Sequence, residues 1–322
     1  MNRRDFALAA GLLPAFSLFA QHAAKPHRVG TLTAAWAANH PAVEGLRAGV
    51  AALGMIEGRD IVFEHRYTEG DLKALPGAAV ALVASGVDLI FTAAENATLA
   101  AVQTTRVIPI VFANVGDPVA SGVVRDFAHP GGNVTGVSNL ATELAAKRLQ
   151  LLKELAPKLR RVWAIYDIAD NRESRVAARR AREAANVVDV ELLDRPVRTT
   201  RELAAVLAEV LPGDGYFVFE RATSLDIGNQ ILKMALPARA LTTFGSPFWV
   251  DWGALMAYGA DYYDVGAQAA RQAAKILTGT PPRDVPVEGA NKIKMAINGK
   301  IARALGLKIS QSILLRADRV IE

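Results

Sequence analysis

Residues 108–138 read IPIVFANVGDPVASGVVRDFAHPGGNVTGVS. The stretch begins with an apolar run, Pro109 to Ala113, whose length and β-branched residues predict a buried parallel strand. Gly116-Asp117-Pro118 then places a carboxylate in a tight turn just past the end of that strand, where ligands bind in open α/β sheets. A helical pattern follows over residues 119–127, and Pro130 to Asn133 predicts a turn into another strand, Val134 to Val137. We therefore expect the last strands of a first lobe here, followed by the crossing into a second lobe.

Strand-like and helical patterns alternate with short connections on both sides of this stretch, which is typical of doubly wound parallel sheets. Three predicted strands and three predicted helices lead from Arg28 to Thr105. The alternation starts again at Leu144 and runs to Tyr258, and the long amphipathic helix Asp261 to Thr278 precedes extended segments that indicate a return crossing. The sequence thus predicts an α/β fold of two doubly wound parallel-sheet lobes joined by a hinge of crossing strands. The first lobe is expected to hold residues 25–137 plus 259–284, and the second residues 138–258 plus 285–322.

Composition limits the possible functions. The 322 residues, of which 51% are hydrophobic, suit two lobes of about 130–150 residues each. The net charge of +5 is scattered, and we interpret Arg179-Arg180-Ala181-Arg182 as a solvated helix face, so no nucleic-acid partner is expected. The absence of cysteine excludes disulfides, thiolate metal sites and cysteine nucleophiles. The histidines lack metal-binding spacing, and nothing in the sequence requires a metal or a cofactor.

Residues 1–24 are predicted to be a signal peptide. Asn2 to Phe6 form a charged segment, and the apolar core from Ala7 to Ala20 is too short to span a bilayer. The paired arginines followed by phenylalanine resemble a twin-arginine signal, which implies export. Cleavage is expected between Ala20 and Lys25. Because no cysteine is available for a lipid anchor, the mature protein is expected to be soluble and periplasmic.

Catalytic motifs are missing from the sequence. It has no Walker A loop, no GxGxxG after the first strand and no GxSxG elbow. The carboxylates at predicted strand ends lack a base nearby in sequence, so we predict a binding protein without catalytic residues. An exported enzyme on the same two-lobed scaffold stays open as an alternative, because paired carboxylates assemble only in three dimensions.

The predicted strand ends offer a binding cleft instead. The turn from Thr92 to Asn96 is placed where backbone N–H groups and a helix dipole suit a ligand carboxylate, although Thr92 or Asn96 capping the helix is an open alternative. Asp117 is placed to pair with a ligand ammonium group or, alternatively, to serve only as a turn residue. Trp36 is either an apolar wall of the cleft or a surface aromatic residue. The candidate ligand-binding residues are Ala35, Trp36, Thr92, Ala93, Ala94, Asn96, Asp117, Asp167, Asn171, Glu220, Arg221, Ser246 and Asp261.

Six segments carry a resemblance to a known family. They are GLRAGVAALGMIEGRDIVFEHRYTEGD (45–71), IPIVFANVGDPVASGVV (108–124), HPGGNVTGVSN (129–139), KRLQLLKELAPKLRRV (147–162), ALMAYGADY (254–262) and KIKMAINGKIARALGLKISQSILLRADRVIE (292–322). In these segments the chain resembles ABC-transporter substrate-binding proteins, in the branch that includes tryptophan-binding lipoproteins. The segments keep their order and spacing and cover nearly all of the mature chain.

The resemblance implies the type I periplasmic binding fold, with a small ligand closed between two lobes and delivered to an inner-membrane ABC permease. It implies an amino-acid-like or carboxylate ligand, whose polar ends are held by the loop equivalent to Thr92–Asn96 and by the carboxylate of Asp117. A monomer is expected. Glu95 departs from the usual loop and would repel an anionic ligand if it pointed inward, and Arg221 could instead face an acidic substrate. A sensory receptor subunit that hands its closed form to a signalling partner is an open alternative to transport.

Overall fold

The computed structural model describes residues 25–35, 38–167, 172–219 and 226–322, which form two sheets with helices on both faces. The strands are β1 His27–Thr33, β2 Ile61–Tyr67, β3 Leu89–Ala93, β4 Ile110–Val115, β5 Val134–Ser138, β6 Arg161–Asp167, β7 Glu191–Val197, β8 Gly215–Val218, β9 Leu241–Phe244, β10 Met256–Ala260, β11 Glu288–Gly289, β12 Ile293–Asn298 and β13 Arg319–Ile321. The helices are α1 Pro41–Ala52, α2 Leu75–Ala84, α3 Glu95–Thr104, α4 Ala141–Leu155, α5 Arg172–Val187, α6 Thr200–Ala208, α7 Ile227–Ala235, α8 Tyr262–Leu277, α9 Gly299–Ala304 and α10 Gln311–Arg316.

The first sheet has six parallel strands in the order β11-β5-β4-β3-β1-β2. Residues of α1 and α8 cover one face, and residues of α2 and α3 cover the other. Both faces are therefore apolar, and β3, β4 and β5 are buried along their whole length. This double burial explains why the central strand reads as a continuous apolar run in the sequence.

The second sheet has seven strands in the order β13-β12-β10-β9-β8-β6-β7. All neighbours are parallel except β10 and β12, which run antiparallel. Residues of α4, α5, α9 and α10 pack on one face, and residues of α6 and α7 pack on the other. The two sheets form the two-lobed α/β architecture that the alternation of strands and helices predicted.

Within the residues that the structure describes, the chain crosses between the lobes three times. It leaves the first sheet after Ser138, returns at Asp261 between β10 and α8, and leaves again between Gly289 and Ile293. The first and third crossings are joined by a hydrogen bond from the Ala290 N–H to the Ser138 carbonyl (2.8 Å). The crossing segments predicted from the sequence are therefore present, and the first and third lie side by side.

Polar side chains of α8 hold the third crossing in place. The amide Nε2 of Gln268 donates to the Gly289 carbonyl (3.0 Å), and its Oε1 accepts from the Asn291 N–H (3.0 Å). Asp264, in the first turn of α8, pairs with Lys292 at 3.4 Å and with Lys294 at 2.5 Å. The α8 helix thus connects the first lobe to the strand that enters the second.

The expected lobe boundaries need a correction at two crossings. Residues 285–289 were expected in the second lobe, but β11 pairs with β5 in the first sheet. Val285 and Val287 are buried in the first-lobe core, which explains the placement. Gly259 and Ala260 were expected in the first lobe, but both pair with β12 in the second sheet.

The helix expected after Asp117 is absent from the described structure. Residues 116–133 form consecutive turns instead, with the Val124 N–H bonded to the Pro118 carbonyl (3.0 Å) and Gly122 in the left-handed region at φ 76°. This glycine and the fixed φ of the proline favour turns over a helix, and the regularly spaced apolar residues were misleading. In the described part of the chain, none of the helices is long and apolar enough to cross a membrane.

Candidate functional site

The carboxyl ends of the parallel strands in the first sheet meet at one edge. The backbone links neighbouring ends there: the Ala94 N–H donates to the Ala113 carbonyl (2.9 Å), and the Asn139 N–H donates to the Val115 carbonyl (3.3 Å). Ser138 Oγ also donates to the Gly116 carbonyl (3.1 Å). The turns after β3, β4 and β5 are therefore held together as one surface, where an open α/β sheet binds its ligands.

The predicted residues Thr92 and Ala93 belong to strand β3 rather than to a loop. Thr92 is fully buried, and its hydroxyl lies 2.8 Å from the hydroxyl of Thr98 in α3. Ala93 is part of the first-lobe core. The Thr92 side chain thus fixes the strand against the helix that follows, whereas Ala93 packs in the core with residues of α1 and α8 on the other face of the sheet. Neither side chain caps the helix.

The N-terminus of α3 lies at this edge without a side-chain cap. Ala94 occupies the N-cap position with φ 71° and ψ 163°, a conformation that L-residues rarely adopt. The helix dipole makes this end of α3 attractive to an anion. Asn96 is half-buried in the first turn, and Glu95 is only 4% exposed, so the Glu95 side chain is not on the open surface.

Asp117 lies half-buried at the end of β4 and uses one oxygen locally. Its Oδ1 accepts a hydrogen bond from the Ala120 N–H (2.9 Å), which stabilises the turn. Its Oδ2 makes no hydrogen bond to any residue that the structure describes. The turn role that the sequence suggested is therefore present, and the second oxygen is available to a ligand.

The sequence analysis missed Asn114, two residues before Gly116. Its φ is 61°, it is 7% exposed, and neither atom of its amide has a hydrogen-bond partner. The register of β4 shifts between Ala113 and Val115, so the strand bulges at this residue. Asparagine is depleted in buried strands, and an amide inside the apolar run was the signal that could have identified this position.

The predicted residue Ala35 makes its hydrogen bonds through its backbone. Its N–H donates to Thr33 Oγ1 (3.2 Å), and its carbonyl accepts from the Glu69 N–H (3.0 Å). Both backbone groups therefore stabilise the turn after β1. The neighbouring candidate Trp36 lies outside the described residues.

The second lobe places two of its candidates in structural positions. Ser246 is 1% exposed and precedes a 3₁₀ turn at residues 247–250. Asp261 caps α8, because its Oδ1 accepts from the N–H groups of Tyr263 (2.9 Å) and Asp264 (3.3 Å). Asn171, Glu220 and Arg221 lie outside the described residues, as does the side chain of Asp167.

Aromatic rings span the two lobes next to this edge, and the sequence analysis did not identify them. His40, the N-cap of α1, stacks on Tyr262 of α8 at 5.8 Å between ring centroids. Tyr262 in turn lies 5.3 Å from Phe248, which precedes β10 in the second lobe. Burial lowers the pKa of His40 to about 4. His40 is therefore neutral at neutral pH, and its Nδ1 accepts a hydrogen bond from the Ala42 N–H (3.2 Å).

The site offers hydrogen bonds and charges rather than metal ligands. Among the described residues, no group of three or more histidine, aspartate or glutamate side chains could hold a metal ion. The polar groups available at the edge are the Asp117 carboxylate, the Asn114 amide and the N-terminus of α3. Such a set suits a small polar ligand with both positive and negative groups.

Comparisons with known proteins point to one family. A family model described as ABC transporter substrate binding protein matches residues 36–321. A tyrosine-binding protein from Clostridioides difficile strain R20291 is 26% identical over 281 residues, which are 84% of this chain and 79% of that protein.

Two solved structures share the fold. The ABC domain in complex with L-Trp from Streptococcus pneumonia has a TM-score of 0.82 at 24% identity, over 92% of this chain and 100% of that chain. The ligand-free, open structure of a substrate binding protein with adhesive properties from Clostridium difficile has a TM-score of 0.68 at 23% identity, over 92% of this chain and 99% of that chain.

Proposed function

Because the chain belongs to the ABC transporter substrate binding protein family, we propose that it holds an amino-acid-like ligand in the cleft between its lobes and closes around it. Proteins of this family are solute-binding proteins rather than enzymes, which confirms the prediction of a binding function. The observation that carries the proposal is the edge of the first sheet, where Asp117 Oδ2 and the uncapped N-terminus of α3 are both available to a ligand.

These two features suit the opposite charges of an amino acid. The Asp117 carboxylate attracts an ammonium group, and the α3 N-terminus attracts a carboxylate. The relatives add support, because one is named for binding tyrosine and another was solved with L-Trp. We take an α-amino acid as the ligand class, with a simple carboxylate as the rival.

We propose that the lobes of this chain are in the closed arrangement. The chain superposes better on the L-Trp complex than on the ligand-free open structure, at nearly equal identity and coverage. A difference in lobe orientation lowers such a score without changing either lobe, which supports a closed arrangement here. The contact of Phe248 with Tyr262 across the lobes agrees with this interpretation.

The proposal also covers the cellular location of the protein and its membrane partner. Residues 1–24 would direct export by the twin-arginine route, and the mature monomer would present its closed form to an inner-membrane permease. A ligand that binds only the closed form shifts the equilibrium toward it, and the closed form is what the permease would recognise.

A thermal-shift screen of the mature protein tests the ligand class. The twenty amino acids and a set of small carboxylates are added singly, and positive results are checked by isothermal titration calorimetry. A ligand at about 100 times its Kd stabilises the folded state by about 2.7 kcal/mol. Stabilisation by amino acids supports the proposal, and a response to simple carboxylates alone would replace the ligand class. If no compound in the panel shifts unfolding, the amino-acid proposal is wrong.

A further inference from the structure

Asn114 carries a buried amide group that the protein itself does not satisfy. The residue is 7% exposed, and both Nδ2 and Oδ1 lack a hydrogen-bond partner. Buried polar groups are nearly always paired, because an unmade hydrogen bond inside a protein costs stability. Asn133 shows the usual situation: it is equally buried, and its Nδ2 donates to the Ile108 carbonyl at 2.6 Å.

The backbone at Asn114 is also unfavourable. Its φ of 61° lies in the left-handed region, which asparagine tolerates better than most residues but which still costs energy inside a strand. Such conformations persist where the surroundings enforce them, and they are frequent at ligand sites. Other buried groups without partners occur in the described residues, for example the Tyr216 hydroxyl, but only Asn114 combines this property with a positive φ.

Asn114 lies at the edge of the first sheet where the ligand is proposed to bind. It lies at the bulge of β4, between the Ala113 carbonyl that binds the turn after β3 and the Val115 carbonyl that binds the turn after β5. Asp117 follows three residues later on the same edge. Asn114 therefore lies beneath the centre of the edge on which the proposed function rests.

The chemistry of a primary amide matches that of an α-amino acid. The amide offers a donor and an acceptor on neighbouring atoms, and an α-amino acid carries a carboxylate and an ammonium group on one carbon. We infer that Asn114 is a specificity-determining residue that donates from Nδ2 to the ligand carboxylate and accepts at Oδ1 from the ligand ammonium. This inference rests on the proposed function and adds the group that distinguishes amino acids from simple amines and acids.

The same residue makes closure depend on the ligand. In the closed arrangement without ligand, the amide is enclosed without partners, and this destabilises the empty closed form. A bound amino acid supplies both partners and removes the penalty. Asn114 thus disfavours the empty closed protein and favours the loaded one.

The variant Asn114→Gly tests the assignment. Glycine adopts a φ of 61° without strain and removes the amide, so the ligand-free protein should unfold at the parent's temperature or higher. By calorimetry, its affinity for L-tryptophan, L-tyrosine or L-leucine, whichever the parent binds, should fall at least tenfold. A residue with only a structural role would give the opposite pattern, with lower stability and unchanged affinity.

The variant Asn114→Asp tests the chemistry. It keeps the shape of the side chain but replaces the donor with a negative charge, so it should repel a ligand carboxylate and still accept from an ammonium group. The ratio of affinities for L-tryptophan and for tryptamine, which lacks the carboxylate, should fall at least tenfold relative to the parent. With a tyrosine-selective parent, the pair is L-tyrosine and tyramine, and with a leucine-selective parent, L-leucine and isopentylamine.

Asn133→Asp is the matched control. It alters an equally buried amide at the other end of the strands, so it should lower the unfolding temperature and leave ligand affinity within twofold of the parent. Asn114→Gly binding within twofold of the parent would overturn the inference while leaving the proposed function intact. A parent that binds no amino acid would overturn the proposed function, and the inference with it.

Discussion

Asp117 has two carboxylate oxygens in different surroundings, and this separates its structural role from its binding role. Oδ1 accepts from the Ala120 N–H, and Oδ2 has no partner among the described residues. Asp117→Asn keeps an acceptor for the turn and removes the charge. We expect it to weaken binding of a cationic ligand group by about 1–3 kcal/mol, since a hydrogen bond to a charged group is lost.

Calorimetric titration of the parent and the variant measures this change. Asp126→Asn is the control, because Asp126 also accepts a backbone hydrogen bond, from the His129 N–H (2.6 Å), but lies exposed in the same loop. The control should bind like the parent. Equal affinities for the parent and Asp117→Asn would remove Asp117 from the site.

His40 makes stability depend on pH. Its pKa is about 4 in the folded protein because burial disfavours the charged ring, against about 6.5 when unfolded. The folded state therefore binds fewer protons, so the contribution of His40 is complete above pH 6.5 and is lost as pH falls toward 4. The difference sets an upper limit of about 3 kcal/mol on the contribution to the unfolding free energy.

Urea unfolding at pH 7 and pH 4 tests this prediction. His40→Asn retains a residue suited to the N-cap of α1 and removes the titration. Its loss of stability between the two pH values should be smaller than the parent's by about 1–3 kcal/mol. His65, whose pKa is also lowered by burial and by the charge of Arg47, leaves a residual dependence of the same sign. An identical pH dependence in both proteins would contradict the assignment.

For single residues of the site, the sequence predicted the position along the fold better than the contacts that each side chain makes. The sequence placed Asp117 correctly just past a strand, because a carboxylate in a turn after an apolar run is a local signal. The contact of Thr92 with Thr98 is less visible, since it depends on how the helix begins after Ala94. The importance of Asn114 follows from the absence of partners, which only the folded structure reveals.

Helices α1 and α8 pack closely through glycine. A Cβ atom at Gly266 in α8 would lie 2.0 Å from the Ala42 carbonyl oxygen, and one at Gly45 in α1 would lie 2.0 Å from the Tyr263 carbonyl oxygen. The contacting atoms are backbone, so they cannot move aside without separating the helices. This contact fixes α8, and with it two of the three crossings.

Gly266→Ala should therefore lower the unfolding free energy by about 3 kcal/mol, measured by chemical denaturation, because it overfills a packed interface. Gly77→Ala in α2 is the matched control, since no atom lies within 4 Å of its added Cβ. Alanine is the better helix former, so the control should be unchanged or up to about 1 kcal/mol more stable. Equal effects of the two substitutions would show that helix propensity, and not the contact with α1, determines the stability change of Gly266→Ala.

Helices and strands could be predicted where apolar residues recur with a clear period. They were harder to predict where turn residues or contacts between distant parts of the chain determine the structure. The buried strands and the long α8 helix follow from their apolar patterns. The turns over residues 119–127 were predicted as a helix, because the regular spacing of apolar residues was given more weight than Pro118 and Gly122. The helix pair α1 and α8 could not be predicted, because its two glycines are more than 200 residues apart in the sequence.

For the whole molecule, the sequence predicted two lobes and crossing strands, and the structure corrects where the chain divides. The alternation of strands and helices follows from local sequence patterns, so it can be predicted without knowledge of tertiary contacts. The assignment of residues 285–289 is not local, since it depends on β11 pairing with β5. The orientation of the lobes depends on contacts such as Phe248 with Tyr262, for which the sequence carries no periodic signal.

Small-angle X-ray scattering tests most directly whether the lobes close on a ligand. The mature protein is measured with and without saturating ligand. The ligand is the amino acid selected by the thermal screen, with its binding confirmed by calorimetry in the same buffer. We predict that the radius of gyration falls on addition of ligand and that the loaded protein matches the profile calculated for the closed arrangement. Superimposable profiles with and without bound ligand would contradict closure.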